Sequence, residues 1–355
     1  MSFEEVICQK LKATYLTEGL VLVLGAGVSK GAGLPDWREL LKRIGRECLG
    51  DDGPEMVCDL MKEGLSLLSI GGMLKASCPK DRTFSDIVRQ QLYAEFRFYS
   101  KDGHKHDPAS LVDHVQNNEN QTLNAVTSLC AVRDKRYDKA HFYVPNPKVH
   151  AIINFNIDAV LTEYVQARYP RKNMHPIVRT VERASKSKDP EKISVYHLHG
   201  YLRFDPMANR SDKEASDKLV FAEQEYFEFF NSSTSLFNYT FLYMLREYSC
   251  LFIGLSMQDD NIRRLLHYSR KERVQAYEEE RKRKRTRAEI EAKALRHFVI
   301  LRKFESQTKM QLIERALHYL GSIVVWVDAY EDIPQLLGEI YTFGGNDWST
   351  VYEKH

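Results

Sequence analysis

Leu20-Val21-Leu22-Val23-Leu24 runs straight into Gly25-Ala26-Gly27-Val28-Ser29, and the chain continues to Gly33-Leu34-Pro35-Asp36-Trp37. The apolar run has the length and branching of a strand buried on both faces. Two glycines after it permit a sharp turn and a close approach of backbone to a ligand. Amides freed at such a strand-to-helix turn are ready donors for a diphosphate. The dinucleotide fingerprint Gly-x-Gly-x-x-Gly is not met, because Lys30 stands where its third glycine belongs. No Gly-Lys-Ser/Thr of a Walker loop follows either.

Three later segments end apolar runs with polar residues. Ile152-Ile153-Asn154-Phe155-Asn156-Ile157-Asp158 closes one, Val195-Tyr196-His197-Leu198-His199-Gly200 a second, and Leu251-Phe252-Ile253-Gly254-Leu255-Ser256, with Asp259-Asp260 after it, a third. Between them the pattern alternates. Strands are expected at 149–154, 194–199, 219–221, 249–254, 297–301 and 322–327, and helices near 157–168, 223–230, 236–247, 260–296, 307–320 and 331–342. Residues 2–18 and 37–47 read as amphipathic helices, and 54–145 shows helical periodicity with no convincing strand. Such alternation predicts a parallel doubly wound sheet whose ligands bind beyond the carboxyl ends of the strands, where all the motifs fall.

The chain has 355 residues, 43% of them hydrophobic and 28% charged, with 51 Lys and Arg against 49 Asp and Glu. That balance marks a soluble globular protein and predicts neither direct nucleic-acid binding nor a membrane surface. No apolar run approaches the roughly 20 residues of a bilayer span, and no signal-peptide pattern is seen, so a cytoplasmic protein is expected. Six scattered cysteines contain no Cys-x-x-Cys pair, which argues against a thiolate zinc module. His197 and His199 are two apart on an expected strand without a nearby third ligand, so metal binding is not expected. Arg281 to Arg287 is strongly basic, but Glu278, Glu279 and Glu280 precede its cations at helical spacing and predict a solvated helix face.

Taken in order, the motifs resemble the sirtuins. The nucleotide loop of that family reads Gly-Ala-Gly-Ile-Ser, three spacers, then Gly-Ile-Pro-Asp-Phe-Arg, and here it is GAGVS, KGA, GLPDWR. The Asn-x-Asp, His-Gly and Gly-x-Ser-x-x-Asp segments complete the set over about 235 residues, the last in the form of the bacterial defence branch. The resemblance implies a Rossmann-like α/β fold without the zinc module. Residues 1–37 and 146–345 would form the NAD-binding domain, 38–145 a helical insertion over the cofactor cleft, and 346–355 a tail.

By the same resemblance the activity would be hydrolysis of NAD+ to nicotinamide and ADP-ribose, depleting the nucleotide in antiphage defence. NAD+ would be the substrate and no metal would be needed. Asn156 would grip a ribose hydroxyl and water, since an amide both donates and accepts. His199 would be the general base. Asp158 would orient Asn156 or bind the carboxamide, or else cap the helix at 159–168. Gly25, Ala26, Gly27 and Ser29 would meet phosphates, Pro35, Asp36 and Trp37 would border the nicotinamide, and Gly254, Ser256 and Asp259 the adenosine ribose. Asp259 is equally a helix cap, and Asp36 is equally a partner for Arg38. Expected partners are a second copy of the chain and, as sensor, a HerA-class ATPase or a short Argonaute. A protein deacylase, an ADP-ribosyltransferase and a non-catalytic NAD-binding module stand as alternatives.

Overall fold

In the computed structural model, Leu20–Leu24 is β1, the central strand of a seven-stranded sheet. The structure describes residues 3–95, 108–133, 143–169, 176–181, 189, 191–204, 219–231, 236–279 and 286–342. Alternation along β1 explains its place: Leu20, Leu22 and Leu24 enter one core, Val21 and Val23 the other, and all five are buried. A strand so apolar on both faces is stable only with helices above and below it.

The other strands of this sheet are β4 (Val149–Asn154), β5 (Val178–Val181), β6 (Ile193–His197), β7 (Cys250–Ile253), β8 (His297–Arg302) and β9 (Ser322–Val327). Their order is β5-β6-β4-β1-β7-β8-β9, and every pairing is parallel. This is the doubly wound arrangement, with β5 added at one edge. The direction of winding reverses beside β1, which pairs with β4 on one side and β7 on the other, so the crevice expected of such sheets opens at the end of β1. No described helix is long and apolar enough to cross a membrane.

Helices precede and follow β1: α1 (Phe3–Thr17), the short α2 (Ala26–Lys30) and α3 (Trp37–Leu49). Then come α4 (Gly53–Lys62), α5 (Leu67–Ala76), α6 (Phe84–Leu92), α7 (Pro108–Gln116) and α8 (Thr122–Cys130). Side-chain caps start several of them: Asp36 accepts from Glu39 N, Ser66 from Ser69 N and Thr83 from Asp86 N. This helical segment shares the main core. Leu40, Leu41, Ile44, Ile70 and Ile87 pack in the same cluster as Leu22 and Leu24, and α8 is buried along its whole length.

The remaining helices are α9 (Val160–Arg168), α10 (Glu223–Asn231), α11 (Leu236–Glu247), α12 (Asp260–Glu279), α13 (Arg287–Ala294), α14 (Gln307–His318) and α15 (Ile333–Thr342). Four expectations are corrected. Residues 219–221 form no strand; they are a buried extended segment tied by Val220 N to His199 O at 3.0 Å. β5 is an unforeseen strand, short and half polar. A small antiparallel pair, β2 (Ala131–Arg133) with β3 (Tyr143–Pro145), interrupts the stretch read as wholly helical. The single helix expected over 260–296 is two, because Thr286 and Glu289 form a capping box that begins α13. Of the basic stretch 281–287, expected as a solvated face, residues 281–285 lie outside the described residues while Thr286 caps α13 and Arg287 begins it. The tail 346–355 also lies outside the described residues.

Candidate functional site

Two carboxyl-end segments, those after β1 and β4, converge on Ser29. β1 ends at Leu24, and the Gly25 carbonyl accepts from Asn156 Nδ2 at 3.0 Å. The same nitrogen donates to Ser29 Oγ at 2.9 Å. Ser29 in turn hydrogen-bonds the Asp158 carboxyl, whose Oδ1 accepts from Val160 N at 3.0 Å. Asn156, Asp158 and Ser29 are all buried. The local cause of this convergence is a turn at the end of β4, where Asn154 Oδ1 accepts from Asn156 N at 3.1 Å. Asn154 had no assigned role in the sequence reading. The Asn-x-Asn spacing at a strand end was its signal.

These contacts narrow what Asn156 can offer. Its amide nitrogen faces a carbonyl, which only accepts, so the amide orientation is settled. The amide's two protons go to Gly25 O and Ser29 Oγ, leaving Oδ1 with no protein partner among the described residues. The expectation that Asn156 donates and accepts at once is therefore corrected: toward a ligand it is an acceptor for a ribose hydroxyl or a water. Beside it, burial raises Asp158 from 3.8 to about 6 against the hydrogen bonds from Ser29 and Val160 N. Asp158 accepts from Val160 N, the first residue of α9, and bonds Ser29, which itself holds Asn156; the N-cap position of α9 is Ala159, without a side-chain cap.

Ala26, Ser29, Pro35, Trp37, Asn156, Ile157 and Asp158 line one cavity, with Leu40 and Leu92 of the helical segment as its wall. The cavity is about 30 Å³, far below the roughly 300–1,000 Å³ of a small-molecule site. Trp37 is half-buried and packs on Phe221, ring centroids 4.7 Å apart. A ligand with a pyridine ring therefore enters only if the wall of Trp37, Leu40 and Leu92 draws back. A larger cavity, about 430 Å³, is lined by His150, Ser194, Tyr196 and Tyr243 among others, and by none of Ser29, Asn156, Asp158 or His199. The smaller one is the candidate site, because the motif side chains meet there.

The glycines act differently from expectation. Gly25 has extended backbone (φ −125°), so no special turn demands glycine there. Space does: a Cβ on Gly27 would stand 2.8 Å from Gly254 Cα, and one on Gly25 2.6 Å from Gly254 O. The β1 loop and the β7 end meet backbone to backbone, with Gly254 at φ +70°. Their amides are spent on this contact. Gly25 N donates to Ile253 O at 3.0 Å, Gly27 N to Gly254 O at 3.0 Å, and Val28 N to Gly25 O at 3.0 Å. Ser29 Oγ is likewise committed to Asn156, so neither the two glycine amides nor this hydroxyl stands ready for a diphosphate.

The remaining expected residues separate. Ser256 is exposed beyond β7. Asp259 Oδ1 accepts from Ile262 N at 2.8 Å and from Tyr226 OH at 3.3 Å, the behaviour of a cap on α12. Asp36 caps α3 and pairs with Lys30 at 2.7 Å rather than with Arg38, which is exposed. His199 does not line the cavity. Its ring packs edge-on against Phe155 at 5.1 Å, on the α11 side of the sheet, and burial lowers its basicity while the Asp259 charge opposes that. His197 faces the other way, onto Tyr201 at 4.4 Å, so the two histidines share no face. Among the described residues no group of three His, Cys, Asp or Glu stands together as a metal site would require.

A model of the SIR2-like domain family matches residues 150–318, from β4 through α14. The chain carries a SIR2-like domain. The match begins after the β1 loop, yet β1 completes its sheet and the Gly25–Ser29 loop completes its polar cluster. No curated protein matches the chain. The SIR2-like domain fits an enzyme that uses NAD+, and the acceptor amide, the buried carboxyl and the aromatic wall at the crevice of β1 are suited to such a substrate.

Proposed function

We propose that the chain is an NAD+ glycohydrolase that releases nicotinamide and ADP-ribose, acting as an NAD-depleting effector of antiphage defence. The observation that carries the chemistry is Asn156, its amide locked by Gly25 and Ser29 and its Oδ1 left as an acceptor beside Asp158. The nicotinamide–ribose bond breaks through an oxocarbenium-like state, which is stabilised by fixed acceptors that hold ribose hydroxyls and the incoming water. Asn156 Oδ1 would orient that hydroxyl or water. Asp158, near its titration point at neutral pH, would take up or release the proton. Trp37 would close the nicotinamide end against bulk water.

His199 lies outside the cavity, so its part as general base requires the wall to open and the substrate to reach across β4 and β6. That same separation favours a second reading, a module that binds NAD+ without turning it over. The sequence resemblance supports the defence role and suggests a second copy of the chain with a HerA-class ATPase or short Argonaute as sensor. The deciding experiment follows nicotinamide release from NAD+ by the wild type, Asn156→Ala and His199→Ala, each alone and with the candidate sensor. Turnover abolished by both substitutions supports the hydrolase with a histidine base. Loss with Asn156→Ala alone removes His199 from the chemistry. Binding of NAD+ without release by the wild type under every condition overturns the hydrolase.

A further inference from the structure

His197, the last residue of β6, is 1% exposed, and its Nδ1 lies 3.1 Å from the Asn156 carbonyl oxygen. A carbonyl only accepts, so Nδ1 carries the ring proton and Nε2 is the bare nitrogen. Among the described residues that Nε2 is buried with no hydrogen-bond partner. An apolar side chain would fill this place without an orphaned acceptor, which typically costs about 1–3 kcal/mol when buried. A histidine in such a place has to be explained by what its other nitrogen does.

The Asn156 residue is held at three points. Its N–H reaches Asn154 Oδ1, and its side-chain amide reaches Gly25 O and Ser29 Oγ. The third point is the carbonyl, gripped by His197 from the neighbouring strand. β4 and β6 pair in register at Asn154 and His197, so the bond ties the turn to the strand next to it just where the ladder ends. Without that donor the Asn156–Ile157 peptide would be free to rotate, and the amide orientation that leaves Oδ1 toward the cavity would no longer be fixed.

We infer that His197 is a positioning residue whose Nδ1–H fixes the Asn156 peptide, and with it the acceptor that the substrate meets. Burial lowers His197 to about 4, so the ring stays neutral and the donor stays on Nδ1 throughout the neutral range. Its kinetic consequence rests on the hydrolase reading; its structural consequence does not.

The test uses the full chain and three substitutions. Asparagine places an N–H near the position of Nδ1, glutamine places one near Nε2, and leucine places none. His197→Asn is expected to keep kcat within about threefold of wild type, whereas His197→Gln and His197→Leu lose about 10²-fold in kcat with KM nearly unchanged, the cost of misplacing a group by an ångström. Equal losses in all three, or none in His197→Leu, would overturn the inference. A second readout is independent of turnover. With 15N-labelled histidine, the ring should show a proton on Nδ1 and none on Nε2 from pH 6 to 8, and the Asn156 side-chain amide signal should shift in His197→Leu but not in His197→Asn. If the wild type proves inactive on NAD+, the hydrolase reading fails and this spectrum still decides on His197: a ring protonated on Nε2, or an unmoved Asn156 amide, sinks it.

Discussion

Two buried polar clusters lie at opposite ends of the same sheet. At the carboxyl end Ser29, Asn156 and Asp158 meet around one hydroxyl and border a cavity. At the amino end Arg273 donates to Leu245 O at 2.7 Å, to Ser269 Oγ at 2.8 Å and to His297 Nε2 at 3.1 Å, beneath the first residues of β7 and β8. Cys250 N donates to His297 Nδ1 at 3.3 Å while the guanidinium faces Nε2, so donors stand at both ring nitrogens and no acceptor is offered to a second ring proton. Burial, then the charges of Arg273 and Arg296, press His297 well below its ordinary value and keep it neutral. Burial lowers Arg273 itself to about 10. The amino-end cluster turns the Arg273 Nη donors onto protein carbonyl, hydroxyl and imidazole, leaves Arg273 Nε buried without a partner, and shows no carboxylate beside the guanidinium among the described residues. The carboxyl-end cluster leaves one acceptor over and keeps one carboxyl poised near neutrality. Equal burial thus serves two ends, and the kind of leftover group separates them: an unpartnered donor sealed in the core at one, an acceptor beside a titratable carboxyl and a cavity at the other.

The sharpest way to break this contrast is to remove the centre of each cluster. Asn156→Ala is expected to lower NAD+ turnover by on the order of 10²–10³-fold, as loss of a preorganised polar group at a reacting centre does, while the urea midpoint moves little. Arg273→Met should do the reverse. It takes a donor from Leu245 O, Ser269 Oγ and His297 Nε2, of which the first two keep each other, Ser269 Oγ donating to Leu245 O at 2.9 Å. The cost is therefore about 1–3 kcal/mol, with turnover per folded molecule unchanged at low temperature. Nicotinamide release and equilibrium unfolding, measured on both variants, read the two effects. If Arg273→Met lost turnover while staying folded, the amino-end cluster would have a share in the chemistry and the contrast would collapse.

Gly27→Ala should blur the two categories. Its Cβ would meet Gly254 Cα at 2.8 Å, backbone against backbone, and neither strand end can yield without moving Ser29. Stability should fall by about 1–3 kcal/mol, the usual cost of overpacking, and turnover should fall with it. Gly64, at φ +91° with open space around it, provides the control: Gly64→Ala pays only backbone strain, and its turnover should be that of wild type.

What the sequence disclosed follows from the range of the interactions involved. β1, β4, β8 and β9 were readable because each is an apolar run whose neighbours break it. β5, Val178-Arg179-Thr180-Val181, is too short and mixed to announce itself, and it is a strand because β6 offers it a ladder. Phe221 looked like strand, yet its ring is held by Trp37 and Phe84, not by a sheet. At the site, Asn156, Asp158, Ser29 and Trp37 were named in advance because their segments resemble the sirtuin motifs, which fall at strand ends. Their mutual hydrogen bonds were not visible, and so the amide protons of Asn156 were promised to a ligand when the protein had already used them. In the sequence His197 comes up only as a metal ligand beside His199, and Arg273 not at all; only the third dimension shows what they hold.

The pH dependence sharpens the comparison further. Asp158 is raised in the fold from 3.8 to about 6, so its contribution is full below pH 3.8 and is lost as pH rises through 6. His197 is lowered from 6.5 to about 4, so its contribution is full above 6.5 and is lost as pH falls through 4. The two slopes oppose each other in one window and partly cancel. Asp158→Asn removes one of them. Its stability should match wild type near pH 3.5 and exceed it at pH 7.5 by up to about 3 kcal/mol, with turnover lost at both. Urea midpoints across that range check the sign: an Asn variant less stable than wild type at pH 7.5 would mean that the carboxylate is held ionised and favourably, contrary to its burial.

The smallest expected effect concerns the wall. Trp37 meets Phe221 at 4.7 Å and closes a cavity of about 30 Å³. Trp37→Phe removes part of that wall and part of one aromatic contact, worth about 0.5–1.5 kcal/mol, so unfolding should come slightly earlier. If the closed wall limits entry, the smaller ring enlarges the cavity and NAD+ should bind a few-fold more tightly, because less of its binding free energy goes into displacing the wall. At the amino end Arg273 lines neither of the two cavities described, and trimming its neighbour by Ser269→Ala should lower stability with no gain in affinity. Calorimetric titration of NAD+ into both variants compares them directly. A Trp37→Phe protein that binds NAD+ more weakly would show the indole to be part of the substrate's seat, and the carboxyl-end site would then be a formed pocket whose closure is part of binding.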